Sequence, residues 1–326
     1  MIGVPETDNQ TARRALAIVI VTYNSAAVLP GLLDSLSAGL AGVDEYEVIV
    51  ADNASRDNSV ALAEAHPIGA RIVRTGRNGG YSAGINAGLA GIANEADVLV
   101  LNPDIRLRPG AVRLLVERLR DPAVGIAVPR ILEEDGSVAP SLRREPSIVT
   151  AWCDALLGEA LSRRLDIGEI VYAPARYERD GAIEWATGAV VAIAARARQL
   201  VGDWDESYFM YSEEVDYQRE VRAKGFAIDY VPQAQMVHIG GDYDQKPRLY
   251  AILTANRIRY FRRYHGPVAT ALFRLAVIVG EGLRSLKGSS VHRAGLQAAL
   301  TRWTAPPEAR TAPAEQGLRA TDAASG

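Results

Sequence analysis

Val98-Leu99-Val100-Leu101-Asn102-Pro103-Asp104 is an apolar run that stops at polar residues and an acid. A short stretch with no polar alternation reads as a strand covered on both faces, the habit of parallel sheets. Its surroundings agree. Leu16–Thr22 is another continuous apolar run, and residues 46–51, 71–74 and 125–128 read as further strands. Helical patterns lie between them. Residues 27–40 place Val28, Leu32, Leu33, Leu36 and Leu40 on one face, and residues 58–65, 81–93 and 109–120 follow, the last with Pro109 at its first position. Alternation of this kind predicts an α/β fold: a Rossmann-like, mainly parallel sheet flanked by helices.

Ligands of such sheets sit beyond the carboxyl ends of strands. Thr22-Tyr23-Asn24, Asp52-Asn53 and Asn102-Pro103-Asp104 all fall there. Asp52-Asn53-Ala54-Ser55 also suits a plain turn, so that stretch reads either as a turn or as a carboxylate facing a nucleobase. Gly80, Gly84 and Gly88 recur on one helix face. Glycine costs roughly 0.8–1 kcal/mol per helix position relative to alanine, so something approaches closely: neighbouring backbone, or a diphosphate at Asn78-Gly79-Gly80. The dinucleotide and Walker A glycine patterns are absent. Gly80-Tyr81-Ser82-Ala83-Gly84 has the spelling of a hydrolase elbow, but residues 75–79 separate it from the preceding strand and Ser82 falls in a first helical turn.

The second half is less regular. Residues 147–165 read as a helix, 183–186 and 190–194 as strands around Gly188, and 213–224 as a helix ended by Gly225. Residues 227–231 read as a strand stopped by Pro232, and 248–264 as a basic amphipathic helix. Tyr211-Ser212-Glu213-Glu214-Val215-Asp216-Tyr217 puts three carboxylates within four positions. The helix macrodipole offsets roughly 0.3–1 kcal/mol for each, which accounts for one or two of them. His238 closes another apolar run, Ala234-Gln235-Met236-Val237-His238. Acids and a histidine at strand ends suit a cation and proton-transfer site, and an Asp with diphosphate oxygens and one His favours Mg2+ or Mn2+.

Composition narrows the classes. The 326 residues include 48% hydrophobic, enough for a large core, and a net charge of −3 gives no reason to expect nucleic acid. A single cysteine, Cys153, excludes a disulfide framework and a cysteine-rich zinc site, and points to a reducing, cytoplasmic setting. Residues 1–14 read as a flexible arm without a leader, 15–245 as the main domain, 246–305 as a C-terminal helical extension and 306–326 as a disordered tail. Residues 268–286 are too interrupted by charge to span a bilayer. They are expected to pack on the domain. Residues 248–287 also offer Arg263, Arg274, Arg284 and Lys287 to anionic headgroups for peripheral contact at the inner face of the plasma membrane.

Taken in order, these pieces resemble the family 2 glycosyltransferases across residues 16–241. Val21-Thr22-Tyr23-Asn24 looks like the nucleotide-binding turn, and Asp52-Asn53-Ala54-Ser55-Arg56-Asp57 is similar to the family's D-N-x-S-x-D. Residues 78–88 resemble N-x-G-x-x-x-G-x-N-x-G, and Asn102-Pro103-Asp104 the metal motif D-x-D with Asn102 for its first acid. Trp185-Ala186-Thr187-Gly188-Ala189 resembles the acceptor-side W-x-x-G-A. Residues 202–216 resemble the segment carrying the catalytic acid pair, with Glu214 where the family has Asp. The branch most similar is rhamnosyltransferase-like, which builds cell-surface polysaccharide.

The resemblance implies a GT-A fold and an inverting transfer from a nucleoside-diphosphate sugar to a hydroxyl acceptor, such as a lipid-linked glycan. It assigns Thr22, Tyr23, Asn24, Asp52, Asn53, Asn78, Gly79, Gly80, Asn86, Asn102 and Asp104 to the donor, and Trp185 and Gly188 to the acceptor. Asp104 and His238 would hold the metal, Glu214 would act as base, and Glu213 or Asp216 would orient the acceptor or hold Arg219. Two rivals fare worse. A silent sugar-nucleotide-binding scaffold has no use for intact acids. A nucleotidyltransferase needs a basic first loop, which Thr22-Tyr23-Asn24-Ser25 lacks.

Overall fold

The apolar runs form the middle of a nine-stranded sheet. A computed structural model of the chain describes residues 15–240 and 246–301; the expected arm and tail lie outside them. The strands are β1 (Leu16–Thr22), β2 (Tyr46–Asp52), β3 (Arg71–Arg74), β4 (Asp97–Leu101), β5 (Ile105–Leu107), β6 (Val124–Leu132), β7 (Leu142–Arg143), β8 (Gly181–Ile183), β9 (Trp185–Ala186), β10 (Val190–Ile193) and β11 (Ala227–His238). The order is β3-β2-β1-β4-β10-β6-β11-β5, with β8 also on β11, while β7 and β9 pair separately. β1, β2, β3, β4, β6 and β11 run one way; β10, β5 and β8 run against them. The sheet is therefore mixed but mostly parallel. β1 and β4 are buried along their whole length, as their unbroken apolar runs require.

The helices are α1 (Leu29–Gly39), α2 (Ser59–Ala65), α3 (Tyr81–Leu89), α4 (Ala111–Arg118), α5 (Ile148–Leu165), α6 (Pro174–Tyr177), α7 (Ala195–Val201), α8 (Glu213–Ala223), α9 (Pro247–Tyr264), α10 (Pro267–Ser285) and α11 (Ser290–Leu300). α1 buries Leu29, Leu32, Leu33 and Leu36, each burial being favourable by about 1.5–3 kcal/mol. The glycines of α3 resolve into two jobs. A Cβ on Gly84 would overlap Val21, and one on Gly88 would lie 2.5 Å from Val19. These two let the helix lie close on β1. Gly80 belongs to the site described below.

Four local expectations change. Pro109 is not the first helical residue, because left-handed Gly110 (φ 69°) caps α4 and the helix starts at Ala111. The runs at 227–231 and 234–238 are one strand, because Pro232 falls where the β11–β6 register shifts, between Val231 and Gln235, and no ladder bond is lost there. The run at 183–186 splits: β8 pairs with β11, and β9 with β7. Ser147 is a cap, not a helical residue. Its hydroxyl accepts from the Thr150 N–H at 3.1 Å, and the Thr150 hydroxyl accepts from the Ser147 N–H at 3.0 Å.

α5, α9, α10 and α11 share a second apolar cluster of Ala151, Phe261, Phe273, Ala276, Val277 and Ala299. Two charged knots reinforce it. Arg257 pairs with Asp154 at 3.1 Å and Glu169 at 2.8 Å. Buried Glu281 takes Tyr250 Oη at 3.0 Å, Arg284 at 2.7 Å and His292 at 2.9 Å. α10 packs as expected, yet the cations expected to face headgroups are largely spent on protein. Arg263 pairs with Asp205 at 2.5 Å, Arg274 donates to the Ala299 carbonyl at 2.6 Å, and Arg284 serves Glu281. What α10 exposes instead is Val268, Leu272, Leu275 and Leu283. No helix among the described residues is long and apolar enough to cross a membrane.

Candidate active site

Parallel pairing sets the ends of β1 and β2 side by side, with Thr22 in register with Asp52. The Thr22 hydroxyl donates to Asp52 Oδ1 at 3.2 Å and the Ser55 N–H to Oδ2 at 3.1 Å. The Asp52 carboxylate is buried and aimed by both contacts. Asn53 Nδ2 donates to the Gly80 carbonyl at 2.8 Å, which ties the end of β2 to the start of α3. Asn24 adopts a left-handed backbone (φ 53°). Its side-chain oxygen takes the Arg56 N–H at 2.8 Å. Asn78 Oδ1 takes the Gly80 N–H at 3.2 Å. Thr22, Asn24, Asp52, Asn53, Asn78, Gly79 and Gly80 thus form one laced edge, with the Tyr23 ring exposed beside it.

Asp104 follows β4, and its partner comes from the far end of the chain. β11 pairs with β5 so that His238 lies opposite Ile105. His238 Nε2 is 3.2 Å from Asp104 Oδ2. Burial disfavours the imidazolium, but the Asp104 hydrogen bond and charge prevail and raise the His238 pKa. Asp104 Oδ1 is buried with no hydrogen-bond partner, and a Cβ on Gly240 would strike the Asp104 carboxylate. Among the described residues no three acids, histidines or cysteines gather as a closed metal cage. One carboxylate with an unfilled oxygen and one imidazole nonetheless fit an oxygen-seeking cation that takes its other ligands from a diphosphate. Asn102 holds the strand end, its N–H donating to the Ala189 carbonyl at 2.9 Å.

The acid pair stands on a strained turn. Phe209, Tyr211 and Ser212 have φ of 65°, 67° and 72°. Such non-glycine conformations cost about 1–3 kcal/mol each and persist only where their surroundings enforce them. Here the enforcement is visible. Asn256 of α9, fully buried, donates through Nδ2 to the carbonyls of Tyr208 (2.7 Å), Met210 (2.7 Å) and Tyr211 (3.1 Å). The Tyr81 N–H donates to the Phe209 carbonyl at 2.7 Å, and a Cβ on Gly80 would collide with that same carbonyl.

Glu213 emerges from this turn buried and Glu214 half-buried, each with a buried Oε2 that no protein group satisfies. Burial pushes both carboxyls above their ordinary pKa. The Glu214 charge adds to the rise at Glu213, and Arg143 works against the rise at Glu214. A Cβ on Gly188 would lie 3.0 Å from Glu214 Cβ, and Tyr81 Oη donates to the Gly188 carbonyl at 3.2 Å. The Tyr81 phenol is raised well above its usual pKa, by burial first and then by Glu213, Asp104 and Glu214. Tyr81 thus links the strained turn to the Gly188 backbone that lies against Glu214.

Three expected site residues do other work. Asp216 accepts from Tyr208 Oη at 3.1 Å and Tyr264 Oη at 2.8 Å and pairs with Arg263 at 3.3 Å, so it locks α8 to α9. Arg219 goes instead to Glu145 at 2.7 Å. Both ends of the Asn86 amide are engaged, by the Trp204 backbone (2.9 and 3.0 Å) and by Glu206 (3.1 Å), which staples the loop leading to the acids. Trp185 is buried with Tyr208, Val215 and Tyr260, its indole N–H on the Arg144 carbonyl at 2.8 Å. The Ser82 hydroxyl is buried with no partner, so no base activates it as a nucleophile. Asn256, Tyr81 and Gly240 were missed. Only Tyr81, inside the glycine segment, carried a sequence signal.

The protein-family model for glycosyl transferase family 2 matches residues 17–170. N-acetylglucosaminyl-diphospho-decaprenol L-rhamnosyltransferase of Mycobacterium tuberculosis is 33% identical over 235 residues, covering 68% of this chain and 75% of that protein. The chain belongs to glycosyltransferase family 2. This glycosyltransferase is also similar to rhamnosyltransferase WbbL of Escherichia coli, at 22% identity over 68% of the chain and 82% of the relative. Its structure superposes on mannosyltransferase PcManGT of Pyrobaculum calidifontis in complex with GDP-Man and Mn2+, with a TM-score of 0.54 at 16% identity, over 90% and 88% of the two chains. At that identity the likeness speaks for the fold, the GT-A architecture expected from the sequence.

Proposed function

We propose that this enzyme moves a deoxyhexose, L-rhamnose, from a nucleoside diphosphate to a sugar hydroxyl on a lipid-diphosphate acceptor, in cell-surface polysaccharide synthesis. The observation that carries the reading is the pair of unfilled carboxylates: Asp104 lies 3.2 Å from His238 with its other oxygen buried and unpartnered, and Glu214, against Gly188, likewise buries an unpartnered oxygen. The similarity to rhamnosyltransferases of M. tuberculosis and E. coli supports the sugar, and the N-acetylglucosaminyl-diphospho-decaprenol of the former supports the acceptor class.

Glu214 is the base. Its half-buried carboxylate takes the proton as the acceptor oxygen bonds to the anomeric carbon. The bond from that carbon to the diphosphate breaks, and its electron pair leaves with the nucleoside diphosphate. Attack opposite the leaving group inverts the centre. The raised proton affinity of Glu214 improves it as a base while limiting it at low pH. Asp52, aimed by Thr22 and Ser55, faces the nucleobase. A Mg2+ or Mn2+ held by Asp104 and His238 would supply positive charge against the departing diphosphate. The exposed leucines of α10, with Leu156, Leu161 and Leu165 of α5, form the membrane-facing side that a lipid acceptor needs.

Incubation with a panel of nucleotide sugars, Mn2+ and a prenyl-diphospho-N-acetylglucosamine should release nucleoside diphosphate only with activated L-rhamnose, and the product should carry the inverted linkage. Release with another sugar alone would overturn the donor, and a retained anomeric configuration the mechanism. Leu272→Ser with Leu275→Ser should reduce flotation with anionic vesicles severalfold; equal flotation would remove the membrane face.

A further inference from the structure

A hollow of about 390 Å3 lies between β7, β8 and the end of α5, lined in part by Arg143, Arg144, Asp166, Arg176, Ile183 and Glu184. Its charges are unequally satisfied. Arg144 pairs with Asp166 at 2.6 Å and donates to the Gly168 and Ile170 carbonyls. The other Asp166 oxygen takes the N–H groups of Tyr172 and Ala173. That pair neutralises itself. Glu184 accepts from the Glu145 N–H, which leaves its charge in place, so the arginines of the wall outnumber its carboxylates by one. Arg143 and Arg176 meet only carbonyls: Arg143 those of Pro140 and Leu142, Arg176 that of Ala182 at 3.4 Å. Neither forms an ion pair with a carboxylate among the described residues. Carbonyls orient a guanidinium without cancelling its charge, so both forks stay available to an anion.

The hollow's position relates it to the reaction. Arg143 of β7 lies opposite Trp185 of β9. From Glu184, on the wall of the hollow, the chain runs through Trp185 to Gly188, which touches Glu214. Four extended residues span at most about 14 Å, a reach on the scale of one sugar ring with its phosphates. On the other side, Asp166 caps α5, whose last turns expose Leu161 and Leu165. Through these connections the arginines are linked to the base on one side and to exposed leucines on the other, the sequence of an amphiphile's hydroxyl, phosphates and apolar tail.

We propose that Arg143 and Arg176 bind the phosphate groups of the acceptor, so that the hollow is an anion subsite separate from the donor's diphosphate site. This rests on the sugar-transfer reading above.

The test uses the full chain with Mn2+ and saturating donor. Two acceptors are compared, a short-chain prenyl-diphospho-N-acetylglucosamine and an uncharged alkyl N-acetylglucosaminide. Arg176→Gln should raise KM for the diphosphate acceptor about tenfold, or about 1.4 kcal/mol, and move KM for the uncharged one less than twofold. Arg176→Lys should recover part of the loss. Inorganic pyrophosphate should compete with the charged acceptor in the wild type. Equal shifts for both acceptors, no shift, or pyrophosphate competing with the donor alone would overturn the subsite. Calorimetric titration of the prenyl probe without donor gives an independent answer: binding should be present in the wild type and at least tenfold weaker in Arg176→Gln, an exposed position where folding is not at stake. Wild-type chain that releases no nucleotide from any donor would sink the transfer reading itself, whereas wild-type turnover with unshifted variants would sink only the arginine site.

Discussion

The two halves of the site are built on opposite principles. The donor-side edge is well satisfied: Thr22, Asp52 and Asn53 end neighbouring parallel strands and reach each other through ordinary hydrogen bonds, and its left-handed residues, Asn24 and Ala54, stand in two separate turns. The acid side is strained and under-satisfied. Three left-handed residues precede Glu213, both glutamates bury an unpartnered oxygen, and the turn is held from a helix roughly fifty residues later. A rigid sheet edge suits a ligand that is bound and released many times. Stored strain suits carboxylates that must be desolvated to act as base.

The largest effect should come from the strained side. Glu214→Gln should lower kcat by at least about 10²–10⁴ while nucleotide binding, read by calorimetry, stays within twofold; a variant that still turns over would assign the base elsewhere. In the wild type, the ionised form is active, and burial raises the pKa of Glu214. Transfer should therefore fall on acidification at a pH above the ordinary carboxylate range, and a limb near pH 4 would contradict this.

Asp104→Ala tests the donor side and its cation. Nucleotide affinity in Mn2+ should drop about 10–100-fold, the size of effect typical of disturbed metal sites, and affinity in chelator should not move. Equal affinities in Mn2+ would separate Asp104 from the metal.

Asn256→Ala should reveal the clamp. Three buried carbonyls lose their donor, so stability should fall by about 2 kcal/mol and kcat by about tenfold, with donor KM little changed because the donor edge is built elsewhere. Equal losses in kcat and donor affinity would mean that the two halves are not separable.

The smallest effect has the opposite sign. The folded pKa of Glu213 lies above its unfolded value. Its contribution to stability is therefore full below the unfolded carboxylate range and is lost as pH rises through the raised value. Glu213→Gln should stabilise the fold by about 0.5–2 kcal/mol at neutral pH, with the gain shrinking towards acid. Denaturant midpoints across pH would show it, and destabilisation at neutral pH would mean that the buried carboxylate has a partner after all.

The same contrast explains what could be read in advance. Continuous apolar runs can be satisfied only by two-sided burial, so the parallel core and the polar strand ends were legible residue by residue. Gly84 and Gly88 announced a close approach correctly, and the partner was β1 rather than a diphosphate. Asp216, Asn86 and Trp185 carried the right family spelling, yet their polar atoms are taken by Tyr264, Trp204 and Arg144. A motif marks a residue as necessary without distinguishing contact with substrate from support of a neighbour.

By itself the sequence determined the alternation of strands and helices, the family, and the acids around which the chemistry turns, because burial periodicity and motif spacing are local properties of the chain. Only the tertiary structure decided that β11 runs through Pro232 to bring His238 beside Asp104, and that Asn256 holds the turn beneath Glu213 and Glu214. Those contacts join residues dozens to more than a hundred positions apart. Their free energy comes from closing the fold, and no local pattern of residues records it.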